Sequence, residues 1–202
     1  AAVASVVPVL TDMWCAALRH ALGEEPFIVS AAKVRGIEIA MPYPTQIGAD
    51  RIADAVEARA TYGSPAIVVD FGTATNIDVV DGRGRYRGGC IAPGLMLSAA
   101  ALCEEAAKLA SIPIEVPPAA IGDTTEHALQ AGLVLGVAAQ AEGLVARIKS
   151  QLAAEEGTNE LEHCPVIATG GLSRVIGQAT DVFDAIDVDL TLRGVWRIWQ
   201  AR

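Results

Sequence analysis

The middle of the chain carries the feature that most constrains its fold, a run of apolar residues that stops at a polar turn. Residues 65–69 (Pro-Ala-Ile-Val-Val) are continuously apolar, and Asp70 and Gly72 follow directly. A short apolar run that ends at turn residues is typical of a strand buried on both faces. We therefore expect a buried strand with Asp70 at its carboxyl end.

Two further strands are predicted after this turn. Residues 76–81 alternate between apolar and polar, and Gly-Arg-Gly at 82–84 is typical of a hairpin turn that leads into a strand at 85–91. Pro93 and Gly94 then introduce a helix that we expect to reach about Leu109. This order predicts a compact antiparallel meander followed by a crossover, within an α/β protein.

Periodicities elsewhere in the chain support the same fold class. Gly23, after an amphipathic stretch, is typical of a helix C-cap. We predict helices at residues 10–22, 50–60 and 125–152 and at the carboxyl end, with short strands at 3–7, 27–29, 166–169 and 187–192.

Composition argues against two classes of partner. The chain has 202 residues, of which 52% are hydrophobic and 19% charged, and its net charge is −9. So acidic a surface repels the phosphates of nucleic acid, and we see no apolar run long enough for a membrane helix. The cysteines lack the spacing of a zinc site, and free thiols suit a reducing cytoplasm. We therefore expect a cytoplasmic protein that binds neither nucleic acid nor membrane.

The turn after the predicted strand at 65–69 carries groups that can bind phosphate. Asp70-Phe71-Gly72-Thr73-Ala74 presents a carboxylate, backbone N–H groups and a hydroxyl at one edge of a sheet. Glycine permits close backbone approach to a ligand, and an aspartate can hold a cation that bridges phosphate oxygens. The alternative is an ordinary hairpin, because Asp and Gly are common turn residues.

A second motif, Gly48-Ala49-Asp50-Arg51, places a carboxylate beside a guanidinium at a predicted helix start. The carboxylate can meet an alcohol, and the planar guanidinium can bind a substrate carboxylate through two hydrogen bonds. The alternative is a plain N-cap, which Asp50 would provide with no functional role.

Two weaker motifs complete the set. Gly170-Gly171 follows a predicted strand and could let an adenine or ribose lie against the backbone, although Gly pairs also serve simple packing. Gly122-Asp123-Thr124-Thr125 precedes the long helix and is equally consistent with a Thr N-cap.

The order and spacing of these motifs resemble the type III pantothenate kinase family, which has the actin-like (ribonuclease H-like) ATPase fold of the acetate and sugar kinases. The matching stretches cover almost the whole chain: 47–51 (Ile-Gly-Ala-Asp-Arg), 69–75 (Val-Asp-Phe-Gly-Thr-Ala-Thr), 88–95 (Gly-Gly-Cys-Ile-Ala-Pro-Gly-Leu), 130–132 (Gln-Ala-Gly), 168–172 (Ala-Thr-Gly-Gly-Leu) and 190–194 (Leu-Thr-Leu-Arg-Gly). The set is specific, although no single motif is decisive.

The resemblance implies a role for each matching position. Asp50 would be the proton acceptor for the pantothenate hydroxyl, and the substrate site would also include Gly48, Ala49, Arg51 and Thr125. Thr73 and Gly72 would contact ATP, Gly170 and Gly171 would lie on its adenosine side, and Asp70 would hold a monovalent cation. The resemblance also implies K⁺ or NH₄⁺, Mg²⁺ on the nucleotide, pantothenate as substrate, and a homodimer in which the helix after Gly94 is a plausible interface.

The start of the chain departs from the family pattern. Family members begin with a strand and an Asp-x-Gly-Asn-Thr phosphate loop, and here Ser5-Val6-Val7-Pro8 stands almost at the start with no such loop before it. We therefore expect a truncated first lobe at residues 1–63 and a complete second lobe at 64–202. Two hypotheses follow: a pantothenate kinase of coenzyme A biosynthesis, inactive in this form if the absent loop is essential, or an inert homologue with a binding or regulatory role.

Overall fold

The structure, a computed structural model, describes residues 1–105, 112–159, 161 and 163–202. Its helices and strands alternate in a mixed α/β arrangement. In chain order they are β1 Ala2–Val3, α1 Pro8–Leu22, β2 Phe27–Ile28, β3 Glu38–Ile39, α2 Ala49–Tyr62, β4 Ala66–Phe71, β5 Ala74–Val80, β6 Arg85–Pro93, α3 Leu95–Glu105, α4 Thr125–Gln130, α5 Gly136–Glu155, β7 Val166–Thr169, α6 Ser173–Ile176, β8 Ala185–Ile186 and α7 Leu190–Gln200.

The chain divides into two compact units. Unit 1 comprises Ala1–Ala66, Asp78–Gly88 and Asp189–Arg202, and unit 2 comprises Ile67–Ile77 and Gly89–Val188. Strands β4, β5 and β6 each contribute residues to both units.

Strand pairing confirms the predicted strand neighbours. The larger sheet has the order β3-β6-β5-β4-β7-β8, so the three strands of the predicted meander lie side by side. Strand β7 is parallel to β4, with Asp70 opposite Thr169, and β8 is parallel to β7. Because the carboxyl ends of parallel strands meet at one edge, the turns after β4 and β7 come together.

Unit 1 is built around helix α2, which packs against α7. The buried residues of this core are Val29, Ala49, Ile52, Ala53, Val56 and Ile198. Where the two helices cross, Gly194 of α7 approaches the backbone of Ala53 so closely that a Cβ there would lie 2.5 Å from the Ala53 carbonyl carbon. Glu57, 2% exposed, accepts hydrogen bonds from Arg193 and Arg197 of α7.

Unit 2 has a separate aliphatic core between its strands and the long helical stretch. The buried set includes Ile67, Val69, Leu133, Val137 and Val166. The stretch Thr125–Glu155 is long and apolar enough to cross a membrane by length and composition alone, which the sequence analysis did not anticipate. Its inward residues belong to this core, as in the central helix of a globular protein.

The long helix also differs in its internal geometry. A continuous helix was expected over 125–152, and the structure has α4, then a π-helical stretch at Ala131–Leu135, then α5. A π-helical turn adds a residue to the local hydrogen-bond ring, which rotates the helix face that follows. Leu133 and Val134 both become buried there.

The predicted strand at 187–192 is wrong. Residues Leu190–Gln200 form helix α7, and the last strand lies earlier, at Ala185–Ile186. Leu190, Gly194 and Ile198 are the buried residues of α7. Their spacing of four is helical, so packing against α2 overrides the local alternation.

The predicted strand at 3–7 is shorter than expected. It pairs only through Ala2 and Val3, because the Ser5 hydroxyl accepts the Val7 N–H and turns the chain. The C-cap at Gly23 is confirmed, with φ of 71° and its N–H donated to the Arg19 carbonyl. The predicted end of the third helix near Leu109 lies outside the described residues.

Candidate active site

The first turn of α2 displays the Gly-Ala-Asp-Arg motif. Gly48 is the residue before the helix, so Asp50 lies in the first turn, where Asp50 Oδ1 accepts the Arg51 N–H at 2.8 Å. A side chain at position 48 would overlap the Asp50 carboxylate. The alternative that Asp50 is the N-cap is therefore wrong, since Gly48 occupies the N-cap position. The Asp50 carboxylate nevertheless accepts one N–H of the first turn.

The Arg51 side chain is held from a different strand. Its Nε and Nη2 atoms lie 2.9 and 2.8 Å from Asp78 Oδ1, and the Tyr86 hydroxyl donates to the same oxygen at 2.7 Å. Asp78 and Tyr86 are each 1% exposed. Burial raises the pKa of Asp78 to about 6, although Arg51 and Tyr86 oppose the rise, and the charge of Asp50 adds to it.

In unit 2 the Asp-Phe-Gly-Thr turn lies at the carboxyl end of β4. Asp70 is half-buried, Thr73 is exposed, and the Gly72 N–H donates to the Ala74 carbonyl at 3.1 Å. Gly72 does not have a positive φ. Gly170, in the predicted Gly-Gly motif at the same edge, has a φ of 86°. The Thr73 side chain is thus exposed at the edge of the sheet, whereas the Gly72 N–H is bonded within the turn.

Gly170 lies against this turn. A Cβ at Gly170 would overlap Asp70 Oδ1 and lie 2.7 Å from the Phe71 carbonyl, and the Leu172 N–H donates to that carbonyl at 3.3 Å. The structure therefore brings the Asp70–Thr73 turn and Gly170–Gly171 together, two predicted sites separated by about a hundred residues in the sequence.

Gly94 closes the other side of the turn. A Cβ at Gly94 would lie 2.7 Å from the carbonyl oxygen of Gly72 and the carbonyl carbon of Thr73. Only glycine allows two backbones to approach so closely. Gly94 of the Ala-Pro-Gly sequence at 92–94 thus permits this close backbone contact as well as preceding α3.

At the fourth motif the two threonines differ. Thr124 is the N-cap of α4, and its hydroxyl accepts the His127 N–H at 3.1 Å. Asp123 also pairs with His127, at 2.6 Å. Thr125 is exposed in the first turn of the helix. The N-cap alternative therefore holds for Thr124 and leaves the Thr125 hydroxyl at the surface.

A cavity of about 510 Å³ has none of these residues in its lining. It is in unit 1 and is lined mainly by apolar side chains, among them Leu192, Val195, Trp196 and Trp199. Such a lining does not suit the phosphates of a nucleotide. We therefore do not place the chemistry there.

Sequence reasoning missed Asp78 and Tyr86. Asp78 alternates with Ile77 and Val79 in a strand pattern, which would place its side chain on a polar face. The structure buries it instead, because Arg51, 27 residues earlier, lies against it. No local signal distinguished Asp78 from Asn76, the polar residue two positions earlier in the same alternating strand.

Comparison with known proteins identifies the family. The model of the family described as type III pantothenate kinase matches residues 1–147. A type III pantothenate kinase of Thermomicrobium roseum is 43% identical over 96% of this chain and 72% of its own length. One from Agathobacter rectalis is 44% identical over 96% of this chain and 72% of its own length. One from Roseiflexus sp. is 41% identical over 98% and 75%.

These similarities define the protein as a kinase. The chain belongs to the type III pantothenate kinase family.

A solved structure shares the fold. A Baf family transcriptional activator from Campylobacter jejuni superposes with a TM-score of 0.59 over 92% of this chain and 78% of that chain, at 18% sequence identity. At this identity the likeness concerns the fold alone.

Proposed function

We propose that this protein transfers the γ-phosphoryl group of ATP to the hydroxyl of pantothenate, giving 4′-phosphopantothenate and ADP in the first step of coenzyme A biosynthesis. The observation that carries the proposal is the first turn of α2, where Asp50 and Arg51 stand side by side in a chain of this family. One residue is suited to a hydroxyl and the other to a carboxylate, and pantothenate has both groups.

In unit 1, Asp50 acts as the proton acceptor. The pantothenate oxygen forms a bond to the γ-phosphorus, the bond from that phosphorus to the ADP oxygen breaks, and the hydroxyl proton passes to the Asp50 carboxylate. Such transfers pass through a loose transition state, so orientation of the hydroxyl matters more than strong basicity. Arg51 binds the substrate carboxylate, and Gly48 and Ala49 leave room beside it.

In unit 2, the phosphate side of the reaction uses the edge formed by β4 and β7. Thr73 and the Gly72 backbone contact ATP, Gly170 and Gly171 lie along its adenosine side, and Thr125 contacts pantothenate. Support comes from the close approach of Gly170 to Asp70 and Phe71, which leaves backbone accessible where a side chain would block it.

Asp70 holds a monovalent cation, K⁺ or NH₄⁺, and Mg²⁺ accompanies the nucleotide. Among the described residues, no three His, Cys, Asp or Glu side chains could hold a metal ion together. A single carboxylate nevertheless suits this task, because phosphate oxygens and water supply the other ligands of a nucleotide-bound cation. Such cations neutralise phosphate charge.

We further propose the actin-like fold, with residues 1–63 as part of the first lobe and 64–202 as the second, in a cytoplasmic homodimer. The exposed Met96, Leu97 and Leu102 of α3 support an interface on that helix. Ala106 and Ala107, which the sequence predicts within the same helix, lie outside the described part of the chain.

The test is an ADP-release assay with pantothenate and ATP in K⁺ or NH₄⁺, on the protein as its gene encodes it. Asp50→Asn keeps the shape of the side chain and removes the proton acceptor, so turnover should fall at least about a hundredfold. Asp12→Asn, on the exposed face of α1 in the same unit, is the matched control and should retain full turnover.

Normal turnover by Asp50→Asn would remove Asp50 from the mechanism. Absence of pantothenate-dependent ADP release in the unaltered protein, with both cations supplied, would refute the proposed reaction and favour the inert homologue.

A further inference from the structure

Asp78 binds the Arg51 side chain, Tyr86 binds Asp78, and none of the roles above uses either residue. One oxygen, Asp78 Oδ1, accepts three hydrogen bonds of 2.7 to 2.9 Å, two from Arg51 and one from Tyr86. The Arg51 side chain is only 14% exposed. The arrangement fixes a long, flexible side chain directly beside Asp50.

The geometry fixes the plane of the guanidinium as well as its position. Asp78 accepts hydrogen bonds from Nε and Nη2, which form one edge of the planar guanidinium. A guanidinium bonded along one edge presents its other edge, Nη1 with Nη2, in a set direction. That edge is the one that forms paired hydrogen bonds with a second carboxylate.

The cluster is poorly arranged for stability alone. Within the described part of the chain, Asp78 Oδ2 is buried without a hydrogen-bond partner. A buried carboxylate oxygen left in this way is destabilising. Asp81, three residues further on, is the contrast: its carboxylate accepts from the backbone N–H groups of Arg83 and Arg85 and from the side chains of Arg85 and Arg87.

We propose that Asp78, supported by Tyr86, is a positioning residue that orients Arg51 toward the carboxylate of the substrate. The proposal rests on the proposed function, in which Arg51 binds that carboxylate. The negative charge of Asp78 also competes with Asp50 for the guanidinium, so Asp50 stays available to accept the hydroxyl proton.

Asp78→Asn tests the proposal, because the amide keeps the shape and loses the charge. We expect the KM for pantothenate and its Kd by calorimetry to rise by about tenfold or more, as for the loss of one charge-assisted interaction, while the KM for ATP changes less than about twofold. Pantothenyl alcohol lacks the carboxylate, so the preference for pantothenate over this analogue should fall by a similar factor.

Tyr86→Phe removes a single hydrogen bond to Asp78 and is expected to fold even if Asp78→Asn does not. It should raise the pantothenate KM by about threefold in the same sense. A purely structural role for the cluster predicts lower stability with an unaltered pantothenate KM and unaltered discrimination between the two substrates.

Asp81→Asn is the matched control, a carboxylate on the same hairpin that pairs with other arginines. It should leave the pantothenate KM within about twofold of the unaltered protein, since its loss removes no contact to Arg51. An unchanged pantothenate KM in both Asp78→Asn and Tyr86→Phe would overturn the positioning role of Asp78. If Asp50→Asn is inactive in the same series, the proposed kinase reaction still stands even though the positioning role has failed.

Discussion

Gly194 makes a quantitative prediction about how unit 1 holds together. It lies in the middle of α7, and a Cβ there would come within 2.5 Å of the Ala53 carbonyl carbon and 3.0 Å of its Cα in α2. Carbon atoms pack at about 3.5 to 4.0 Å, so Gly194→Ala must move the two helices apart by about 1 Å. Neither obstacle is a side chain that could rotate away.

The magnitude follows from two opposing effects. Alanine in place of glycine inside a helix stabilises by about 1 kcal/mol, whereas forcing a helix pair apart costs about 1–3 kcal/mol or more. The shift also disturbs the hydrogen bonds of Glu57 with Arg193 and Arg197 and the packing of Ile198. We expect a net loss of about 2 kcal/mol, or a melting temperature lower by about 4–8 °C.

Gly143→Ala is the matched control. Gly143 is exposed within α5, and a Cβ there would meet no atom within 4 Å. The same substitution should therefore raise stability by about 0.5–1 kcal/mol in urea unfolding. Equal or greater stability of Gly194→Ala than of the unaltered protein would refute the close approach of α2 and α7.

Two further predictions concern the site. Thr124→Ala should cost about 1 kcal/mol of stability and leave the pantothenate KM unchanged, because only the N-cap is lost. Thr125→Ala should raise the pantothenate KM with no loss of stability. The reverse pattern would contradict both assignments. The pKa of Asp78, about 6 in the folded protein against an ordinary 3.8, means that the folded state holds this proton more tightly. Asp78 therefore stabilises the fold below about pH 4, and this stabilisation is lost as the pH rises through 6. In urea unfolding, the free energy of unfolding should fall by about 3 kcal/mol relative to that of Asp78→Asn over this range. A difference in unfolding free energy between the two proteins that stays constant from about pH 4 to 7 would contradict the burial of this carboxylate.

Several elements could be predicted from sequence because their causes are local. The strand Val166–Thr169 was predicted at its observed bounds, and the C-cap at Gly23 follows from the conformational freedom of glycine. The meander was recognisable because its turns at Gly72 and Gly84 separate one continuously apolar strand and two further strands. The motifs at 48–51 and 70–74 were likewise identified from their residues and order.

Residues 187–192 show where local pattern fails. Their alternation favours a strand, and the choice of helix depends on Leu190, Gly194 and Ile198 burying one face against α2, which begins about 140 residues earlier. Contacts at such a separation leave no mark in a short window of sequence.

The sequence by itself determined the family-specific motifs and the mixed α/β class, and it suggested the residues to which the proposed function assigns the chemistry, since these depend on residue type and spacing along the chain. The tertiary structure alone decided that Asp78 and Tyr86 hold Arg51, and that Gly170 lies against Asp70. These juxtapositions arise when strands and helices distant in the chain pack together, and side chains bonded across such distances follow no local periodicity.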